Sequence, residues 1–205
     1  MEKINYRGIG IEIIPDEDCE SPNEWDNDRF IVYDHRDFYV EKKGFNPKEI
    51  FDYFEENAYK KVLYKGYFVF TLYAYIHSGV YLSLGRGRYP FNDRWDVSST
   101  GSVLIKRTSG TWTEAKARKV AEGLIETWNQ YLSGDVYGYN IEQLNESCWG
   151  YYGKDVCLQE AKDIIDWHLE NQRKKRIVTL KELIKSKVPL EHRQKRLLTL
   201  SSTYN

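Results

Sequence analysis

The chain has 205 residues, 41% of them hydrophobic, and a mean hydropathy of -0.67, values that allow a soluble core and exclude a bundle of membrane spans. Aromatics at 15%, led by 17 tyrosines, point to ring-rich sheet faces or contact surfaces. The net charge of -1 conceals a polarity: residues 1–60 hold 16 acidic against 8 basic side chains, and residues 171–196 hold 10 basic against 2 acidic ones.

Residues 6–14 predict a first strand, with Ile9, Ile11 and Ile13 on one face. An acidic loop follows over residues 15–27, rich in Asp, Asn, Ser and Pro. Residues 30–33 form a short apolar strand, interrupted by the polar run Asp34-His35-Arg36-Asp37 and resumed over 38–41. Asn46, Pro47 and Glu49 open a helix whose buried stripe is Ile50, Phe51, Phe54 and Ala58. Residues 62–84 read as β structure, with a tight turn at His77-Ser78-Gly79. Residues 85–101 predict a long loop, and residues 102–106 a strand that closes the sheet.

The run from Thr111 to Glu114 predicts a capping box, followed by a helix to about Leu132. Its inner stripe is Val120, Leu124, Trp128 and Leu132, widened by Ala117, Ala121, Ile125 and Tyr131. Gly134 is placed to end it in the left-handed conformation. Tyr137, Tyr139 and Ile141 alternate as in a strand expected to join the earlier sheet. The whole of 128–153, crowded with aromatics, glycine and turn formers, reads as packing. A third helix is predicted over 158–172, with Ala161, Ile164, Ile165 and His168 or Leu169 inward. A second capping box at Thr179–Glu182 opens a short helix ended by Pro189, and residues 193–200 form a last turn or two. The expected fold is α+β: an antiparallel sheet packed with helices in a single domain over 1–170, with a basic helical appendage over 171–205.

The three cysteines, Cys19, Cys148 and Cys157, form no CxxC pair and read as free thiols of a reducing cytoplasm. The aromatic flank of Cys148 predicts a buried, structural thiol. The N-terminal residues lack the apolar core of a signal peptide. His35, His77, His168 and His192 show no metal-ligand spacing, and no metal or cofactor is expected. Asp34, Asp37, Asp93 and Asp96, with Arg36 and Arg94, are the one set of carboxylates from which a metal-dependent nuclease or hydrolase could be built.

Two charged regions suit recognition. The acidic loop carries Asp16, Glu17, Asp18, Glu20, Glu24, Asp26 and Asp28, whose carboxylates can imitate phosphates on a basic groove. Arg86 and Arg88, set among glycines, and Arg94 suit bidentate phosphate or carboxylate contact. Arg173, Lys174, Lys175 and Arg176 extend a nucleic-acid alternative to the basic tail, although the tail lacks aromatics for stacking.

Five local patterns then bear on identity: residues 33–38 (YDHRDF), 72–85 (LYAYIHSGVYLSLG), 94–106 (RWDVSSTGSVLIK), 128–139 (WNQYLSGDVYGY) and 147–153 (SCWGYYG). Their order and spacing resemble a family of short proteins of tailed phages and prophages. Two departures from it stand out. Asp34-His35-Arg36-Asp37 replaces the family's Trp-His-Arg-Arg, and Ile76 stands where the family has an Asp before His77. The resemblance implies a phage setting and no catalytic activity. Together these readings predict a cytoplasmic, non-enzymatic accessory protein that binds a host protein or ribonucleoprotein and no membrane. Its expected purpose is counter-defence, of the anti-CRISPR or antirestriction kind.

Overall fold

The structure, a computed structural model, describes residues 1–25, 28–56, 63–85, 97–186 and 191–192. It is an α+β protein with two antiparallel sheets in place of the single sheet expected. The first contains β1 (Glu2–Tyr6), β2 (Ile9–Pro15), β8 (Val136–Ile141) and β9 (Glu146–Tyr152), in the order β1-β2-β8-β9. The second contains β3 (Arg29–His35), β4 (Phe38–Val40), β5 (Tyr67–Ile76), β6 (Val80–Leu84) and β7 (Val97–Lys106), in the order β4-β3-β7-β5-β6.

The N-terminal strand is a hairpin rather than one run. Arg7 and Gly8 both take positive φ, 53° and 85°, and turn the chain in two residues between Tyr6 and Ile9. The alternation of Ile9, Ile11 and Ile13 therefore belongs to β2 alone. Within the polar run, Arg36 and Asp37 form a two-residue hairpin turn, so residues 38–40 pair back on β3 instead of continuing it. Residues 97–101, expected in a loop, are the first half of β7.

Helix α1 (Pro47–Glu56) starts as its sequence predicts: the Asn46 side chain accepts hydrogen bonds from the backbone N–H groups of Lys48 and Glu49, at 2.9 and 3.3 Å. It places Ile50 against Phe30, Val32 and Leu104 on one face of the second sheet. Helix α2 (Glu114–Ser133) buries Ala117, Ala121, Leu124, Ile125 and Trp128 on the opposite face. Its N-cap is Thr113, whose side chain accepts from the Lys116 N–H, and not Thr111 as the capping-box pattern predicted. Glu114 is thereby the first helical residue, favourable there through the helix dipole. Gly134 ends the helix at φ 71° as expected.

Helix α3 (Lys154–Lys185) is one continuous helix across the span where two were predicted. It starts four residues earlier than expected and passes through position 170–171 without a break. The threonine of the second capping box, Thr179, lies mid-helix and donates to the carbonyl of Lys175 at 3.1 Å. Cys157, Ala161 and Ile165 bury against Ile11, Ile13, Tyr139 and Ile141 of the first sheet. Beyond Gln172 nearly every position is exposed, with Leu183 buried. No helix among the described residues is long and apolar enough to cross a membrane.

The edges of the second sheet are treated unequally. On β6 the Asn129 side-chain amide donates to the Leu82 carbonyl at 3.0 Å and accepts from its N–H at 2.7 Å. On β3 the Asn23 amide does the same for Ile31, at 2.8 and 3.0 Å. Each amide takes the place of a neighbouring strand and satisfies one edge residue. The outer edge of β4 has no such cover among the described residues.

Candidate partner-binding surface

The acidic loop leaves β2 at Pro15 and is fastened along its length. The backbone N–H of Asp16 donates to the Val136 carbonyl at 2.9 Å, and its carboxylate accepts from the Gly150 N–H at 3.0 Å. The Tyr152 hydroxyl donates to the Glu20 carbonyl at 2.6 Å, while the Trp25 ring stands edge-on to Tyr152 at 4.7 Å. Pro22 and Asn23 are buried, and Lys42 Nζ donates to the Asn23 carbonyl at 2.5 Å. At the far end Asp28 binds Lys106 twice, through its carbonyl to the backbone N–H at 2.7 Å and through its carboxylate to Nζ at 2.7 Å. The hydrogen bond to that carboxylate raises the Lys106 ammonium pKa above its ordinary value.

This anchoring divides the predicted acidic residues. Asp16 and Asp28 act within the fold. Glu17, Asp18, Glu20 and Glu24 are exposed. Asp26 lies outside the described residues.

Sheet residues beside the loop complete the surface. Trp149 of β9 lies over Gly138 of β8: a Cβ there would stand 2.2 Å from Trp149 Cε3. Gly150, at φ 82°, makes the irregularity that lets β9 place Trp149 and Tyr152 on the face turned away from α3. Trp149 is 49% exposed and Trp25 44% exposed. The stretch read as packing thus presents part of itself to solvent, and Cys148, expected to be buried, is exposed. An edge strand has one side open, so an aromatic flank does not cover a thiol there. The signal that could have located this face is Gly138, a glycine inside a strand, which marks a close approach.

On the side facing α3, the Tyr139 and Tyr151 rings lie 5.7 Å apart, tilted by 31°. Burial, followed by interaction with Cys148, pushes the Tyr151 hydroxyl pKa well above its ordinary value. Cys157, the buried thiol beneath them, is pushed up to about 11, chiefly by burial. These groups are neutral packing elements at physiological pH.

The candidate carboxylate site is only partly described, because Asp93, Asp96 and Arg94 lie outside the described residues. Asp34 lies in β3 opposite Tyr39, and Asp37 lies in the β3–β4 turn. Asp37 is held by Arg36 Nε at 2.8 Å, and its N–H donates to His35 Nδ1 at 3.2 Å. No group of three or more His, Cys, Asp or Glu side chains suited to a metal ion occurs among the described residues. Arg86 and Arg88 also lie outside the described residues. Their anchor does not: Gly85 donates to the Thr71 carbonyl at 2.8 Å, and its own carbonyl accepts from Arg118 at 3.0 Å.

Arg173, Lys174, Lys175 and Arg176 are all exposed on α3. Four consecutive helical residues fan through about 300°, so they do not make one basic face. Lys174 pairs with Glu170 at 2.9 Å. Arg7 of the first hairpin and Asp166, paired at 3.2 Å, join Arg173 and Lys174 around an open hollow of about 570 Å³. Comparison with family models, curated proteins and solved structures gives no match.

Proposed function

We propose that this chain is a phage-type accessory protein that binds a host protein or ribonucleoprotein and blocks it by occlusion. Its purpose in this reading is counter-defence, as an anti-CRISPR or antirestriction-like inhibitor. The observation that carries the reading is the clamped acidic loop. Its backbone is held by Asp16, Tyr152 and Asn23 while Glu17, Asp18, Glu20 and Glu24 stay exposed. A loop backbone fixed in advance loses little conformational entropy on binding, which favours affinity for a basic groove made for phosphates. The phage setting rests on the sequence patterns alone.

The test is capture from infected host lysate at physiological salt, with a variant reversing all four exposed charges as the control. Retention of a nucleic-acid-processing protein by the native chain and its loss by the variant is the expected result. Equal recovery by both, or none by either, refutes the reading. The exposed cations of α3 favour direct nucleic-acid binding as a second reading. It requires a mobility shift at about 50 mM salt that weakens steeply as salt rises.

A further inference from the structure

We infer that β4 and the hollow beside it form a binding site for an extended peptide segment of a partner, added as a further strand to the second sheet. Three independent features converge there.

The first is the backbone. The two-residue turn makes His35 and Phe38 a hydrogen-bonded pair, so Asp34 and Tyr39 are the alternate pair whose N–H and C=O groups point away from each other. Those of Asp34 face β7, where its carbonyl accepts from Thr100 at 2.5 Å. Those of Tyr39 face outward, and no described residue meets them. Asn129 and Asn23 each cap one other edge residue of this sheet, Leu82 and Ile31, and no described side chain caps Tyr39.

The second is the hollow. It has a volume of about 640 Å³ and lies between β4, the Ser21–Glu24 part of the acidic loop and the last turns of α2. Phe38, Val40, Tyr131 and Leu132 give it apolar walls. That volume suits a few side chains of a bound segment.

The third is an orphaned donor. Trp128 also lines the hollow, is 2% exposed, and its indole Nε1 has no acceptor among the described residues. Buried donors without partners are rare, and one beside a cavity fits an acceptor brought by a ligand.

Strand addition uses these features together: main-chain hydrogen bonds to Tyr39 supply affinity, and alternate side chains entering the hollow supply selectivity. The occupant is an extended, mainly apolar segment with an amide or carbonyl acceptor for Trp128. Glu24 and Glu41 line the hollow together with Lys42 and Lys43, so its balanced charge suits an uncharged segment.

The probe is a library of capped, uncharged octapeptides screened on the ¹⁵N-labelled native chain. Selected peptides are expected to shift the Tyr39 amide and Trp128 indole resonances and to bind Tyr39→Pro at least tenfold more weakly, because proline removes the edge N–H. Absence of any binder, undiminished binding to Tyr39→Pro, or an unmoved indole resonance overturns the inference. Reversal of Glu17, Asp18 and Glu20, none of which lines the hollow, leaves the peptides bound, so failure of the acidic-loop reading and failure of this site are separable.

Discussion

Two glycines with nearly the same crowding give the sharpest test of how this fold is packed. A Cβ on Gly101 of β7 would stand 2.0 Å from Tyr33 Cδ2, and one on Gly138 of β8 would stand 2.2 Å from Trp149 Cε3. Neither glycine has a positive φ, so alanine strains neither backbone and the cost is steric. The neighbours differ. Tyr33 is fully buried, leans on Phe38 at 5.2 Å, and its hydroxyl donates to the Ser98 carbonyl at 2.7 Å. It has nowhere to go. Overpacking costs about 1–3 kcal/mol, and losing a buried ring's place costs about 3–5 kcal/mol, so Gly101→Ala should cost about 3 kcal/mol. Trp149 can swing outward and forfeit one contact face, about 1 kcal/mol. For a chain of this size these correspond to falls in Tm of about 6–12 °C and about 2–4 °C. Urea titration of both variants checks the values, and a double-mutant cycle of Gly101→Ala with Tyr33→Ala should return a coupling above about 1 kcal/mol. Equal costs at the two sites, or a coupling near zero, would refute the argument.

Asn23→Ala leaves the buried N–H and C=O of Ile31 unpaired and should cost about 2–4 kcal/mol by denaturant titration; Asn129→Ala, which removes a half-buried side chain from Leu82, should cost less. Asn46→Ala removes the α1 cap, and a loss of about 1 kcal/mol is expected by the same measurement. Thiol reagents should modify Cys148 in the folded protein and reach Cys157 only on unfolding, read by mass spectrometry of the labelled peptides. The Cys157 thiol is raised from 9.0 to about 11, so it favours the folded state below pH 9 and that contribution is lost as pH rises toward 11. Stability measured across that window should therefore fall less steeply in Cys157→Ala than in the native chain.

Local signals were legible where one residue type answers one local need. The Asn46 cap, the Gly134 terminus and the inner stripe of α2 each follow from backbone hydrogen bonding or a period near 3.6, and each stands in the structure. Pairing was not legible. Arg7 is no usual turn former, so the first hairpin hid inside an apolar run. Nothing local shows that β8 pairs with β2, more than a hundred residues away in sequence, rather than with β5–β7. The capping-box pattern at Thr179 misled because a threonine can also return its hydroxyl to the preceding turn of an unbroken helix. Among the acidic residues, composition marked the loop but could not say that the Asp16 and Asp28 carboxylates are spent on the fold while the side chains of Glu17, Asp18, Glu20 and Glu24 are exposed.

That division ties stability to recognition at one residue. Asn23 substitutes for a strand beside Ile31, and the same loop then passes between the exposed carboxylates and the hollow beside β4. If β4 ran on to pair with Ile31, the loop would lose its buried anchor and its carboxylates would have to be ordered by the partner, at the partner's expense in affinity. A short β4, with Asn23 sealing the edge of β3 beyond its end, thus does two things at once. It holds the acidic ribbon in one shape, and it stops the sheet where the Tyr39 edge and the unpaired Trp128 donor are left for an incoming chain.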